Sequence, residues 1–416
     1  MLIDIAFRNY KSFKNETYFS MEATDTIAKE ENVVSVNGSL RVLKVGVIYG
    51  ANASGKSNFM SMLFFLKRFV MGQMVHEKND PLNLLYQPFW LSPYGPNRIT
   101  EVVLRFVAGN GQLYKYLIRY SSLQVSGEQI YRYEGEEEQL ICERVRKGIV
   151  SSRVIFSGIP SNEGLPNNVE VFKNASILTP FLSMAGGDIS VVARYIANIQ
   201  HDELFYMPNP DVDDRIDYLA SWIGNDKEKK AKILSYLKLA KTGIEDFEIR
   251  KNSLTKKSNI YFIHKVYDDD HHEVDKKRFP YEMESDGTIK LLFYAIRAIS
   301  ALEEGSPLFV DEINESLHTQ LTRELLKLFI DPATNPKCAQ LITTMHDINL
   351  MDEKMLRRDQ IWFVQKDEEG VSEMYSLADF RDVDENTCYS QWYMANRFGA
   401  TPTSPDVKLT RHETTE

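Results

Sequence analysis

The amino-acid sequence predicts an α/β fold in which a P-loop lies on a mixed sheet, beside an antiparallel β subdomain and an inserted helical lobe. Three observations predict it. The glycine-rich stretch GANASGKS, Gly50 to Ser57, follows an apolar run and leads into a helical pattern. Residues Glu101 to Arg146 contain short segments of alternating apolar and polar side chains, separated by turn signals. Between about Ser176 and Thr242 the apolar residues recur at helical spacing instead.

The GANASGKS stretch has the setting that a P-loop requires, which is a strand, a glycine turn and a helix start. The apolar run Val42 to Tyr49 predicts the strand, and Asn58 to Val70 predicts the helix. In such a loop the backbone N–H groups turn toward phosphate oxygens, the lysine reaches the β- and γ-phosphates, and the hydroxyl ligates Mg²⁺. The predicted binding residues are Gly50, Asn52, Ala53, Ser54, Gly55, Lys56, Ser57 and Asn58, with Ser57 also on the metal.

Composition limits the classes of protein that this chain can belong to. With 416 residues, 43% of them hydrophobic, it is long enough for two or three folding units around a large core. Its three cysteines match no metal-ligand spacing and indicate reduced thiols in a cytoplasm. No apolar run approaches the roughly 18 residues of a membrane helix. A net charge of −10 argues against a surface that is basic overall.

The order of these patterns suggests domain boundaries. Residues 1–175 contain two strands around a turn, the P-loop and an antiparallel meander, with Tyr114, Tyr116 and Ile118 on one face. Residues 176–242 form the helical insertion, and residues 243–400 return to strands that alternate with helices. Residues 401–416 are predicted to be a disordered tail.

An acidic pair follows a second apolar strand. PLFVDE ends in Asp311 and Glu312, where a parallel strand would meet its loop. Asp311 is the predicted second ligand of Mg²⁺, and Glu312 is predicted to orient and polarise the attacking water. Acidic pairs after apolar strands are common, so this assignment depends on the P-loop being present.

Upstream of that pair, ESDGTIKLLFYAIRAISAL predicts a helix capped by Ser285 or Asp286. Its first turn offers N–H groups, hydroxyls and a helix dipole to a γ-phosphate, through Ser285, Gly287 and Thr288. Because the P-loop already holds the β-phosphate, we expect this turn to serve the nucleotide of a second subunit. Asp286 would repel a phosphate and is expected to point away as a cap.

Two histidines are the remaining candidate residues of the nucleotide site. CAQLITTMHD predicts a strand one crossover after the Asp311 strand, and His346 at its end is expected to reach the γ-phosphate and sense hydrolysis. His318, at the start of the intervening helix, is expected at a subunit interface. Lys56, Glu312 and His346 are thus the predicted catalytic residues.

Five elements in this order resemble the ABC-type ATPase heads of the SMC, RecF and OLD group, in which two heads enclose two ATP molecules: FRNYKSFKNE, GANASGKSN, ESDGT, FVDEINESLH and TTMHD. The resemblance spans nearly the whole chain and includes RRDQIWFVQKD and YMANRFGATP. It implies that a basic residue after the first strand helps to hold the nucleotide, with Arg8 and Lys11 as the candidates. The chain departs from the pattern because its signature lacks a paired glycine and Met345 stands where threonine is commoner. The family pattern also contains a Q-loop glutamine at the metal, and no convincing match is present here; Gln87, in YQPFWL, is the candidate for that role.

In overall layout the chain is similar to stand-alone bacterial AAA family ATPases of the AbiLi and RloA abortive-infection type and of the PARIS phage-defence system. The resemblance implies a role in anti-phage defence beside a separate effector, often a TOPRIM-like nuclease, with a phage-encoded trigger. Only 70 residues follow His346, which leaves no room for a nuclease domain after the head. We therefore expect the effector to be another chain.

These expectations combine into a mechanism with one main rival. Two subunits would meet head to tail around MgATP, and hydrolysis would release the contacts that hold them together. The rival is a RecF- or SMC-like head that clamps DNA in repair or recombination, with salt-dependent affinity and DNA-stimulated ATPase activity. A transporter energiser is disfavoured because neither a membrane segment nor a glycine-paired signature is present. A non-hydrolysing scaffold is disfavoured by the complete acidic pair.

Overall fold

The computed structural model describes residues 1–36, 38, 40–73, 81–157, 169–184, 186–201, 212–224, 226–251, 257–384 and 387–402. The tail predicted to be disordered lies, beyond residue 402, outside the described residues. No helix in these ranges combines the length and the hydropathy needed to cross a bilayer.

The strands in chain order are β1 (Leu2–Arg8), β2 (Thr17–Ser20), β3 (Val33–Val36), β4 (Leu40–Leu43), β5 (Val45–Tyr49), β6 (Thr100–Val107), β7 (Leu113–Tyr120), β8 (Val125–Glu134), β9 (Glu137–Arg146), β10 (Ser151–Phe156), β11 (Val169–Phe172), β12 (Gln200–His201), β13 (Ile244–Lys251), β14 (Ser258–Tyr267), β15 (Glu273–Pro280), β16 (Pro307–Val310), β17 (Gln340–Thr344), β18 (Ile361–Lys366) and β19 (Ser372–Ser376). The helices are α1 (Lys56–Val70), α2 (Pro81–Leu85), α3 (Asp188–Ala197), α4 (Val212–Ile223), α5 (Lys227–Leu239), α6 (Asp286–Glu304), α7 (Thr319–Ile330) and α8 (Tyr389–Met394).

The P-loop lies on a six-stranded sheet with the order β12-β16-β17-β5-β18-β19. All neighbours are parallel except the β18–β19 pair, so the sheet is mixed, as predicted. The strands β5, β16 and β17 are buried along their whole length. Since parallel strands present their carboxyl ends at one edge, the loops after β5, β16, β17 and β18 lie at the same edge of the sheet.

The predicted meander is part of an eight-stranded antiparallel sheet with the order β11-β10-β9-β8-β7-β6-β1-β2. Tyr114, Tyr116 and Ile118 of β7 are fully buried on its inner face, which confirms the predicted alternation. The strand pair at the amino terminus is confirmed as β1 and β2, and β1 pairs with β6. Together the two sheets and their helices confirm the predicted α/β fold class.

Helices described within the predicted helical segment, 176–242, contribute to two hydrophobic cores of the described residues. Val192 and Ile196 of α3 pack in the core that contains α1 and the antiparallel sheet. Ile216 of α4 and Leu237 of α5 pack in the core that contains α6 and one face of the P-loop sheet. Between them β12 adds an edge strand to that sheet. Each helix buries its own apolar stripe, and the stripes face different partners.

Candidate active site at the P-loop

The loop between β5 and α1 has the backbone of a P-loop. Gly55 has a φ of 123°, and a Cβ there would lie 2.9 Å from Ser12 Oγ and still closer to Ser372 Oγ. A Cβ at Gly50 would meet the Val364 carbonyl oxygen. Both glycines are therefore required by close approach of neighbouring chain segments. The predicted helix is confirmed and begins two residues earlier, at Lys56.

Lys56 is held inside this loop. Its Nζ donates to the carbonyl oxygens of Gly50, at 2.8 Å, and Ala51, at 3.0 Å. Burial lowers the pKa of the ammonium, and the nearby carboxylates of Glu312 and Asp311 oppose that shift. The charge is thus fixed at the centre of a loop whose N–H groups are suited to phosphate oxygens.

The two predicted metal ligands of the acidic strand and the P-loop lie side by side. The Asp311 carboxylate, which is almost fully buried, accepts a hydrogen bond from the Thr344 hydroxyl and lies close enough to the Ser57 hydroxyl for that group to lower its pKa. Burial raises the pKa of Asp311, whereas those hydroxyls and Lys56 lower it. One hydroxyl and one carboxylate fit Mg²⁺, which is usually held by one or two carboxylates together with substrate phosphates and water.

Glu312 and His346 face each other beside the P-loop. Glu312 Oε1 lies 3.2 Å from His346 Nε2, and the backbone N–H of His346 donates to Asn314 Oδ1 at 3.3 Å. Glu312 has a φ of 52°, in the left-handed region that ordinary residues seldom adopt. A cavity of about 670 Å³ is lined by both side chains, by residues 52–58 and by Lys366. The structure therefore brings the predicted residues 52–58, Glu312 and His346 to one cavity, whereas Gly50 lines the adjoining cavity.

Thr344, which sequence reasoning did not single out, holds both acidic residues. Its hydroxyl donates to Asp311 Oδ1 and accepts from the backbone N–H of Glu312 at 2.7 Å. It ends β17, next to β16, and is fully buried. The only sequence signal was its place in TTMHD, directly before the predicted histidine segment.

For the ATP hydrolysis expected from the sequence, Thr344→Val should reduce turnover by about tenfold or more, because a methyl group leaves the Glu312 N–H and one Asp311 oxygen without their partner. Valine fills the same volume, so the strand should remain intact. Steady-state ATPase assays would measure the loss, and Thr344→Ser is the matched control that keeps the hydroxyl. Turnover that is equal in the valine and serine variants would refute this role.

Arg8, Lys11 and Gln87 do not line the cavity. The half-exposed Arg8 side chain pairs with Glu101 at 3.5 Å. Lys11 donates from Nζ to Ser61 Oγ of α1 at 2.8 Å; burial lowers its pKa, and Asp311 is near enough to oppose that shift. The Gln87 side-chain amide donates to the Leu84 carbonyl at 3.2 Å, so it is bound within its own segment rather than aligned with Ser57 and Asp311. The assignment of Gln87 to the metal stays a prediction.

The predicted signature turn lies at the exposed amino terminus of α6. Ser285 is the N-cap: its Oγ accepts from the Thr288 N–H at 3.2 Å. The expected cap at Asp286 is wrong, because that exposed residue is the first residue of the helix. A Cβ at Gly287 would lie 2.6 Å from the Ser316 carbonyl oxygen, so the turn packs against the loop that follows Glu312. The turn does not line the P-loop cavity of its own chain.

His318 caps the other helix of this region. Its Nδ1 accepts from the Gln320 N–H at 3.1 Å, at the start of α7. The side chain is exposed and does not line the cavity. Its expected place at a subunit interface stays a prediction.

Comparisons with known proteins are consistent with this site. A family model described as "AAA domain, putative AbiEii toxin, Type IV TA system" matches residues 46–149 and 194–352, which is more than half of the chain. No curated protein matches the chain.

Several solved structures are similar over most of their length. An SMC head bound to the C-winged helix domain of ScpA has 14% identity and a TM-score of 0.47, with 90% of this chain and 97% of that chain covered. The SMC head domain from Thermotoga maritima has 14% identity and a TM-score of 0.38, with 90% and 98% covered. A recombination mediator protein RecF-ATPrS has 13% identity and a TM-score of 0.33, with 90% and 98% covered. At TM-scores below 0.5 this likeness adds nothing to the assignment of function.

Proposed function

The chain belongs to the family described as "AAA domain, putative AbiEii toxin, Type IV TA system", and we propose that it binds and hydrolyses ATP with Mg²⁺, as a subunit that dimerises around the nucleotide. The observation that carries this proposal is the cavity at which residues 52–58 of the P-loop, Glu312 and His346 meet, with the Asp311 carboxylate next to Ser57. A phosphate cradle, a metal site and a carboxylate base are the three parts that phosphoryl transfer to water requires.

Each side chain has a role that its position allows. Lys56 and the N–H groups of residues 52–57 bind the phosphates, while Ser57 and Asp311 hold the metal. When bound, Mg²⁺ neutralises charge on the β- and γ-phosphate oxygens. Glu312 accepts a proton from the attacking water, and His346, 3.2 Å from it, keeps that carboxylate in place and contacts the γ-phosphate.

We place the Ser285–Thr288 turn of one subunit on the nucleotide of the other. The support is that Ser285 and Asp286 at its tip are exposed, and that the turn begins a 19-residue helix and does not line the cavity of its own chain. A helix amino terminus favours negative charge. ATP would then hold the two subunits together, and hydrolysis would loosen them.

Ser285→Asp is expected to lower the ATPase rate by about tenfold or more, because a carboxylate at this position repels the γ-phosphate of the partner's nucleotide. Aspartate is as good an N-cap as serine, so the helix should be preserved. Ser285→Asn, a neutral residue of the same size and capping ability, is the matched control and should retain activity.

Mixing two inactive variants tests whether the Ser285–Thr288 turn of one subunit acts on the nucleotide of the other. A Ser285→Asp subunit and a Lys56→Ala subunit, each inactive alone, should together recover about a quarter of the wild-type rate, because half of the dimers are mixed and each mixed dimer contains one complete site. ATPase assays on the mixed subunits would measure this. If the mixture stays inactive although mixed dimers are shown to form, the proposed head-to-tail arrangement is wrong.

We further propose that this nucleotide cycle is a switch for a separate effector in bacterial phage defence, inside the cytoplasm. Support comes from the family description, which names a putative toxin of a type IV toxin–antitoxin system. A TOPRIM-like nuclease is the expected effector, and a phage product is the expected trigger. Copurification with the products of neighbouring genes, with and without ATP, tests it. ATPase stimulation by DNA, with affinity that falls steeply with salt, would favour the DNA-binding alternative.

A further inference from the structure

We propose that Lys366 is a second triphosphate-binding lysine that contacts the terminal phosphate at the boundary between two adjoining cavities. This inference rests on the proposed ATP-binding function and adds to it a residue from the opposite side of the P-loop. Lys366 is the last residue of β18, the neighbour of the P-loop strand β5.

The topology places this lysine at the same edge as the rest of the site. β18 runs parallel to β5, with Phe363 beside Tyr49, so its carboxyl end lies next to the P-loop. Four neighbouring strands therefore present Glu312, His346, the P-loop and Lys366 in that order along one sheet edge. Lys366 approaches the P-loop from the side opposite to the acidic pair.

Lys366 lines the cavity of about 670 Å³ together with Glu312, His346 and Lys56. It also lines an adjoining cavity of about 880 Å³ beside the carboxyl-terminal segment, and the two cavities share Asn52, Ala53, Ser54, His346 and Lys366. His346 lines both cavities as Lys366 does, and because His346 is the residue expected to contact the γ-phosphate, we assign the terminal phosphate to this boundary.

The charge balance of the site favours this role. Lys56 and Lys366 are the lysines that line the cavity, whereas Glu312 lines it and Asp311 lies next to it. A triphosphate brings several further negative charges, and Mg²⁺ neutralises only part of them. The Lys366 side chain is exposed and lines the cavity, so its ammonium can reach a phosphate bound there.

The backbone of Lys366 is fixed although its side chain is exposed. The preceding Gln365 accepts through Oε1 from the Ala400 N–H at 3.2 Å and from the Tyr375 hydroxyl at 3.1 Å. The Ala400 carbonyl in turn accepts from the N–H of Ala51 in the P-loop at 2.9 Å. A Cβ at Gly399 would lie 2.6 Å from Gln365 Oε1, so this connection is closely packed. The end of β18, the carboxyl-terminal segment and the P-loop thus form one hydrogen-bonded unit.

Separate titrations with a slowly hydrolysed ATP analogue and with ADP test this inference by calorimetry. Lys366→Met is expected to weaken binding of the ATP analogue by about tenfold or more and to change ADP binding by less than about twofold, because only ATP has the terminal phosphate. Lys366→Arg should bind both nucleotides nearly as the wild type does. Lys238→Met, on the exposed surface of α5, is the control for loss of a lysine charge.

The outcomes separate this inference from the proposed function. The ATPase proposal stands if Lys56→Ala loses both nucleotides. In that case the terminal-phosphate contact is overturned by either of two results for Lys366→Met: it binds the ATP analogue as the wild type does, or its affinities for the ATP analogue and for ADP fall equally. If the wild type binds neither nucleotide, or binds them independently of Lys56, both are overturned. Thermal unfolding without nucleotide checks that each variant is folded.

Discussion

Glu312→Gln is expected to lower ATP turnover by roughly a hundredfold to ten-thousandfold while nucleotide binding is retained. Glutamine has the same shape and keeps a contact with His346, 3.2 Å away, but it cannot accept a proton from the attacking water. The left-handed backbone of Glu312 and its N–H bond to Thr344 hold the side chain in place, so the substitution should cause little rearrangement.

Two measurements check this prediction. Steady-state turnover gives the catalytic loss, and size-exclusion chromatography with ATP should show that the variant accumulates as a dimer, because the bound triphosphate is no longer removed. Glu324→Gln, on the surface of α7 in an ion pair with Lys327, is the matched control and should behave as the wild type does. Unchanged turnover in Glu312→Gln would remove this residue from the role of base.

Lys56→Ala is expected to weaken ATP binding by at least about a hundredfold, because the charge-assisted bonds to the β- and γ-phosphates are lost. The stability of the free protein should change little, because two effects oppose each other. Burial lowers the pKa of Lys56, so alanine removes the cost of a partly desolvated ammonium, but alanine also loses the bonds to the Gly50 and Ala51 carbonyl oxygens. The variant should therefore separate ligand binding from folding.

Thermal unfolding with and without ATP makes the separation visible. A ligand that binds only the folded state stabilises the wild type, by about 2.7 kcal/mol at a hundred times the dissociation constant. Lys56→Ala should unfold near the wild-type temperature without ATP and gain little when ATP is added, whereas Lys238→Met should gain as much as the wild type. Full ATP stabilisation of Lys56→Ala would contradict the proposed P-loop function.

Local patterns were sufficient for much of the fold. The strand, turn and helix around the P-loop, the β6–β9 meander and the capped helix at Ser285 each depend on residues a few positions apart, where backbone preference and side-chain period act directly. The charged strand β15 was missed because its residues are exposed and it has no alternating apolar pattern. Asp286 was misplaced by one residue, since serine and aspartate cap helices equally well.

The sequence by itself determined which chemical groups this protein has and on which local elements they lie: a phosphate-binding loop, an acidic pair and a histidine, each at the end of an apolar strand. Only the tertiary structure decided which groups meet. The Thr344 hydroxyl is hydrogen-bonded to Asp311 and to the backbone of Glu312. The Ala400 carbonyl accepts from the N–H of Ala51, and Lys366 lies beside the P-loop. These residues are far apart in the chain and meet because of the order of the strands in the sheet. The tertiary structure also tied Gln87 to its own segment. Such contacts depend on how whole elements pack, and no local spacing encodes them.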